Sequence, residues 1–377
     1  MDPRIPVVVA ARRTPVATAG RALAGRDAAG LAAPVLRSLA GDLTALLGGR
    51  EPRVDDVVLG NCCGPGGDVA RIASLAAGLG TAVPAVTVDR QCGAGLEAVR
   101  LAAALVRSGD VGVVLAGGTE SATHARDGGA RAPFTPPGWP DPEMGAAADE
   151  LAAKTGVTRE RQDAYAARSH RLAVAAARAG VYDAEIVEID GARRDDRPRP
   201  RLGEAVLGRM PAAFTPGGTA TAGNSCGIND AAAVVALVPE AWRLRAGVPG
   251  LRILGTAAAG VDPALPGLGP VPAVRAALRR ARLALDAVDV VEITEAFAAQ
   301  VLACTDALGL DPLGADADRV CPDGGAIALG HPWGASGALL VVRLFSSLVR
   351  RRRGRYGLAT CAVGGGQGVA LVVEVVT

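Results

Sequence analysis

The feature that most constrains this chain is a repeat in which strand, turn and helix follow one another in fixed order. Val99-Arg100-Leu101 and Leu115-Ala116 recur as Val342-Arg343-Leu344 and Leu358-Ala359, both displaced by the same 243 positions. Val54 to Asn61 (VDDVVLGN) likewise resembles Val288 to Glu295 (VDVVEITE). The identities are few and rich in alanine. What carries the inference is that each copy joins a strand, a glycine-rich turn, a helix and a following strand. Two tandem halves related by a pseudo-twofold would set the turn holding Cys92 near the turn at Gly330 to Gly337.

In the first copy, Val86 and Val88 read as a buried strand. The chain then turns through Asp89 to Gly95 into a helix with Leu96, Val99, Ala103 and Val106 on one face. A cysteine at that turn meets unpaired N–H groups and the positive end of the helix dipole, which favour a thiolate. Taken alone, Cys92 is explained as well by a small buried hydrophobe as by a nucleophile. Around it, Pro6 to Arg12, Arg53 to Asn61 and Val111 to Ala116 read as strands, and Ala28 to Leu47 and Val69 to Leu79 as helices. Such alternation predicts a mainly parallel sheet covered on both faces.

From Ala122 to Phe214 the alternation stops. Proline and glycine crowd Gly128 to Pro142, two helical segments run from Gly145 to Ala179, and Arg193 to Arg201 mixes charge with proline. The chain is therefore expected to divide into an N-terminal half (1–121, completed by 215–247), an inserted lobe (122–214) over the sheet, and a C-terminal half (248–377).

Composition narrows the functions. A net charge of +2 lacks the field of a nucleic-acid binder, and no apolar run is long enough to span a membrane. Seven cysteines without a CxxC pair argue against a disulfide framework and a structural zinc site. The N-terminus enters a strand without a secretory pattern, so a cytoplasmic location is expected. No GxGxxG opens a helix after the first strand, and no metal, flavin or nicotinamide is expected. Cys62-Cys63 is assigned to packing, Cys226, Cys304 and Cys321 to no chemistry, and His124 and His170 to the surface of the lobe.

The second glycine-rich turn runs from Gly324 to Gly337 and holds His331, one of three histidines, among residues that allow close backbone approach. A cysteine and a histidine on facing turns are a nucleophile and its base once they come within hydrogen-bond reach. A third cluster, Gly364-Gly365-Gly366-Gln367-Gly368, offers N–H groups for an oxyanion hole.

These blocks carry a family resemblance. RQCGAG around Cys92, TEAFAAQ at Thr294 to Gln300, GGAIALGHPWGASG around His331 and the CAVGGGQG ending resemble the signature blocks of the thiolases, in their usual order. TAGNSCGIND at Thr221 to Asp230 and the helix RQDAYAARSHRLA are also thiolase-like, so the resemblance covers nearly the whole chain. It implies an α/β thiolase fold, with two similar halves forming a five-layered α/β/α/β/α core plus an inserted loop domain. It also implies a homodimer or dimer of dimers acting on coenzyme A thioesters, with coenzyme A as substrate rather than resident cofactor.

By that resemblance Cys92 attacks an acyl-CoA and holds the acyl group while His331 takes up the thiol proton. A second cysteine then removes an α-proton from a second acyl-CoA, and the carbanion attacks to give a 3-ketoacyl-CoA; thiolysis is the reverse. One oxyanion site pairs His331 with a water held by an asparagine, at the position of Thr294. The other uses backbone N–H groups of Cys92 and Gly364. Met144, Gly255, Phe297 and Ala326 fall where the resemblance implies contact with the CoA thioester.

The chain departs from the family where the chemistry is most demanding. Thr294 replaces the asparagine of NEAF, Gly255 a CoA-contacting serine, and Glu143 a common histidine. Counting back from Gly364 puts Ala362 where the basic cysteine stands, with Cys361 one place earlier. A one-residue slip turns a side chain to the opposite face, so Cys361 serves as the base only if the strand end bulges. The proline-rich segment is shorter than the family's tetramerisation loop, which favours a dimer. Three functions stay open: a condensing or thiolytic acyltransferase; an acyltransferase passing the Cys92-bound acyl group to an amine, hydroxyl or aromatic carbon; and a non-catalytic subunit of a thiolase-like complex. The acyl donor is an acyl-CoA or an acyl-carrier thioester, and the need for an accessory protein stays open.

Overall fold

The computed structural model describes residues 2–50, 53–125 and 132–377, so part of the proline- and glycine-rich run at 128–142 lies outside the described residues. The first half contains β1 (Pro6–Arg13), β2 (Ala17–Thr18), α1 (Ala28–Leu46), β3 (Asp56–Gly60), α2 (Val69–Ala77), β4 (Ala85–Val88), α3 (Ala94–Ser108) and β5 (Val114–Ser121). Helices α4 (Met144–Thr155), α5 (Arg159–Arg178) and α6 (Glu204–Leu207) follow, then β6 (Asn229–Pro239) and α7 (Glu240–Ala246). The chain closes with β7 (Gly250–Gly260), α8 (Pro270–Ala281), β8 (Val290–Ile293), α9 (Ala298–Leu308), α10 (Ala326–Leu329), α11 (Trp333–Leu344), β9 (Tyr356–Val363) and β10 (Gln367–Val376).

The strands join one ten-stranded sheet, ordered β4-β3-β5-β6-β1-β7-β10-β9-β8 with β2 beside β6. Only β3–β4, β3–β5 and β8–β9 pair in parallel. The other strand pairs among the described residues are antiparallel, which corrects the expectation of a mainly parallel sheet. Helical crossovers keep strands parallel, whereas β10 follows β9 through the short turn at Gly364 to Gly366 and must reverse. Gly365 and Gly366 both have φ +77°, a left-handed conformation open to glycine at little cost.

Strand alternation sorts the side chains into layers. Val7, Val57, Leu115 and Val234 point to α1 and α2. Their neighbours Val8, Val58, Val114 and Val235 point the other way, into a cluster with Leu96 and Val99 of α3 and Val341 and Leu344 of α11. That cluster also takes Ile253, Leu371 and Val373 from the second half of the sheet. The outer face of this second half, with Leu358, Ala370 and Val372, packs on α8 and α9. The sheet thus wraps a shared middle layer of α3 and α11, giving five layers.

The middle layer is tight because its helices meet at glycines. A Cβ on Gly95 would lie 2.7 Å from the Gly334 carbonyl oxygen, and one on Gly337 2.5 Å from the Leu96 nitrogen. The segment after α5 is tied to this core by buried ions: Arg13 pairs with Glu185 and Asp195, and Arg343 with Glu185 and Asp323. Tyr182 lies between the two guanidiniums, 5.2 and 4.7 Å from its ring centre.

Gly337→Val is expected to cost about 1–3 kcal/mol by overpacking the helix contact. Gly41→Ala, in the exposed face of α1 with nothing within 4 Å of the new Cβ, is expected to stabilise by about 0.5–1 kcal/mol. Urea unfolding of both variants measures the difference.

Candidate active site

Cys92 lies in a single 3-10 turn, Gln91–Gly93, that leads into α3. Gln91 takes φ +47°, and this left-handed step turns the chain from β4 into the helix. His331 lies just before α11, the equivalent helix of the second copy. Gly330 precedes it at φ +117°, where a Cβ would strike the Asn229 amide at 2.4 Å. The His331 N–H donates to Asn229 Oδ1 at 3.0 Å. His331 Nδ1 meets Ser336 Oγ at 2.6 Å, which leaves Nε2 for the cavity that the imidazole lines.

The closely packed middle layer brings both turns to one cavity of about 140 Å³. Cys92, His331 and Trp333 form one wall; Ala362, Val363 and Gly364, from the end of β9, form another. The opposite side is one face of α4, Met144, Ala147, Ala148 and Leu151, together with Phe297 and Gln300. The i, i+3, i+4, i+7 spacing of those α4 residues was readable in the sequence as one helical face. Phe297 is braced edge-on by Phe214, with ring centres 5.6 Å apart. The lining is almost wholly apolar, so polar groups within it interact in a low dielectric.

Two further segments frame the cavity. Glu295 is fully buried and accepts from Tyr165 Oη (2.8 Å), Ser169 Oγ (2.7 Å) and the Ile327 N–H (3.1 Å), which fastens α5 to α10, just before His331. The TAGNSCGIND strip threads between the two signature blocks. The Cys226 N–H donates to the Ala296 carbonyl at 3.0 Å, and Ile228 bridges to His331. Cys226 thereby lines the cavity beside Cys92, a placement that sequence reasoning missed because an isolated cysteine in a loop carries no periodic signal.

Of the site residues expected from sequence, Cys92, His331, Gly364, Met144 and Phe297 line this cavity and four do not. Gly255 faces α8, where a Cβ would lie 2.5 Å from the Ala277 carbonyl oxygen; close helix packing is what its lack of a side chain permits. Thr294 and Ala326 line a separate internal cavity of about 30 Å³ with Glu292, Ser336 and Arg343. The Thr294 N–H donates to the Thr360 carbonyl at 3.1 Å, extending the β8–β9 pairing and leaving the hydroxyl buried away from Cys92's cavity. The β9–β10 register runs unbroken through Cys361, Ala362 and Val363, without the bulge that Cys361 needed. Its thiol is buried beneath the Cys92 turn, 3.2 Å from the Cys92 carbonyl oxygen, while Ala362 faces the cavity.

Cys62 and Cys63 do more than pack. With Glu120 they bring three ligand-type atoms within 4.8 Å of one another. The Glu120 oxygens are already occupied, accepting from Asn61 Nδ2, from the Cys62 thiol at 2.9 Å, and from the N–H groups of Cys62, Cys63 and Gly334. This carboxylate ties the end of β5 to the start of α11. His170 is buried rather than superficial, its Nδ1 accepting from the Arg199 N–H at 3.2 Å.

Burial governs the protonation states. It pushes the Cys92 thiol well above its ordinary range, with smaller contributions from nearby Cys361 and Cys226, and so overrides the thiolate-favouring helix end. Cys226 and Cys361 are each pushed up to about 12 by burial. His331 is lowered to about 4 by the same desolvation. The resting pair is therefore a neutral thiol and a neutral imidazole ready to accept a proton.

A family model for the thiolase N-terminal domain matches residues 6–135 and 139–241, and one for the thiolase C-terminal domain matches 249–375. Among relatives, an acetyl-CoA acetyltransferase of Pseudomonas aeruginosa is 42% identical, covering 97% of this chain and 98% of its own length. A beta-ketoadipyl-CoA thiolase of the same organism is 40% identical, covering 96% and 97%. The crystal structure of the Bacillus anthracis acetyl-CoA acetyltransferase superposes with a TM-score of 0.87 at 36% identity over 98% of both chains.

His331 and His170 are both lowered from 6.5 to about 4, so between those values the unfolded chain binds protons that the folded chain does not. Stability is expected to fall as pH drops from 6.5 towards 4, by about 2 kcal/mol per histidine between pH 7 and 5. Urea unfolding at both pH values should show His331→Gln losing roughly half of the histidine share of that dependence.

Proposed function

Because this chain belongs to the thiolase family, we propose that it is a thiolase-type acyltransferase that condenses acyl-CoA thioesters, or cleaves 3-ketoacyl-CoA by thiolysis, through an acyl group carried on Cys92. The observation that supports this best is the meeting of Cys92 and His331, from equivalent turns of the two halves, on one apolar cavity. The names of the relatives, acetyl-CoA acetyltransferase and beta-ketoadipyl-CoA thiolase, support acyl-CoA as the substrate class.

In the first half-reaction His331 Nε2 takes the Cys92 proton as the sulfur adds to the thioester carbonyl. Ser336 at Nδ1 fixes the ring orientation, and with Nδ1–H donating to its Oγ the Nε2 lone pair is free to accept. A neutral imidazole is suited to this step, since it holds its accepting lone pair throughout the neutral pH range. The oxyanion of the adduct falls to backbone N–H groups at Cys92 and Gly364. The apolar walls exclude water, which protects the acyl thioester from hydrolysis.

For assembly we propose a homodimer. Among the described residues strand β4 ends the sheet with an unpaired edge, and Val86 on it, with Ile72 and Leu75 on neighbouring α2, are exposed large hydrophobics on the same flank. Among the described residues no helix is long and apolar enough to cross a membrane.

Intact-protein mass after mixing with acetyl-CoA tests the function. Wild type is expected to gain one acetyl group, Cys92→Ala none, and His331→Ala to acylate at least about 100-fold more slowly. Adding a second acetyl-CoA should discharge the adduct as 3-ketoacyl-CoA, and adding free CoA should regenerate acetyl-CoA. Light scattering should give twice the monomer mass for wild type and a lower mass for Val86→Glu.

A further inference from the structure

Resting on the acyl transfer proposed above, we infer that Cys226 is the second reactive thiol of this site: it protonates the departing CoA thiolate and then removes the α-proton of the incoming thioester, with Arg197 as its positioning residue. Condensation needs a proton acceptor on the cavity wall, and Ala362 supplies none. Cys361 is turned under the Cys92 turn by an unbroken strand register, its thiol engaged by the carbonyl oxygens of Cys92 (3.2 Å) and Ala362 (3.1 Å). Cys92 and Cys226 are the two thiols that line the cavity with His331.

The placement of Cys226 is fixed from both sides. Its N–H is bonded to Ala296, Ser225 pairs with Phe297, and two residues on Ile228 pairs with His331, so the thiol is held between the TEAF segment and the catalytic histidine. Arg197 lies flat over the next residue: a Cβ on Gly227 would fall 2.2 to 2.8 Å from three guanidinium atoms. The Arg197 Nε is buried with no hydrogen-bond partner among the described residues, and its cation lowers the Cys226 thiol against the larger effect of burial. Reciprocally, Cys226 raises Arg197, whose own pKa is lowered chiefly by burial. A buried guanidinium with an unused donor is compensated when the neighbouring sulfur ionises.

The protons balance. During acylation His331 takes the Cys92 proton, the C–S bond to CoA breaks, and Cys226–SH protonates the CoA thiolate, which leaves imidazolium and a Cys226 thiolate beside Arg197. The thiolate then takes an α-proton from the second thioester. The carbanion attacks the acyl carbonyl, the Cys92–acyl bond breaks, and imidazolium returns its proton to the Cys92 thiolate.

The test follows acetylation of Cys92 by intact mass and α-proton exchange of acetyl-CoA in D2O by mass. Cys226→Ala is expected still to form the Cys92 adduct, more slowly because the CoA thiolate then leaves unprotonated, which also shows that it folds, and to lose α-exchange and condensation by at least about 100-fold. Cys361→Ala is expected to change exchange less than about threefold. Arg197→Gln should move the half-maximal pH for exchange upward, with Arg197→Lys restoring most of the shift. The inference is overturned if Cys226→Ala retains exchange, if Cys361→Ala is the variant that loses it, or if acylated wild type exchanges no α-proton. Wild type that forms no adduct would instead overturn the acyl-transfer function itself, a separate result.

Discussion

Everything at the site depends on a contact of backbone against backbone. Helices α3 and α11 approach so closely at Gly95 and Gly337 that no Cβ fits between them, and Cys92 and His331 stand at the N-terminal ends of those two helices. A side chain at either glycine would separate the two turns, and hydrogen-bond chemistry decays over fractions of an ångström. The same middle layer is covered by both halves of one continuous sheet. Site geometry and core packing are therefore one constraint.

The site's electrostatics run against a simple view of an activated cysteine. Burial leaves Cys92 protonated and His331 uncharged, so no charge is kept in the apolar cavity until a substrate arrives. In the proposed acyl transfer, charge separation accompanies bond formation, and the resting protein avoids the desolvation cost of a standing thiolate–imidazolium pair. Buried carboxylates nearby serve as fasteners instead. Glu120 and Glu295 spend their acceptor capacity on backbone and side-chain donors that hold the turns in place.

Much of this was legible in the sequence. The strand–turn–helix around Cys92, the His331 turn, the lobe's two long helices and the tandem halves follow from periodicity, glycine placement and order. Strand direction was not legible, because the continuous apolar runs of β6 and β10 read the same in either orientation and only the connections decide it. Thr294 and Ala326 lie within signature blocks and Gly255 in a stretch that resembles the family's, yet all three face away from the cavity: β7 presses on α8 at Gly255, and Thr294 continues a strand pairing. Cys226 was illegible for the opposite reason, since its place depends on pairing with segments about 70 and 105 residues away in the chain. The question whether Cys361 or Ala362 faces the site reduced to one bulge, and the unbroken register answered it.

The shared middle layer has a consequence for how the protein is made. While a ribosome is still synthesising the chain, the inner face of the first half, with Val8, Val58, Val114 and Val235, has α3 to cover it but not α11, which lies more than 200 residues further on at Trp333–Leu344. The nascent N-terminal half must therefore wait, with apolar surface open, until α11 has emerged. Contacts of such long sequence separation slow folding and prolong exposure to aggregation. A chain built this way invites a chaperone during synthesis in a manner that two independently folding domains of equal size would not.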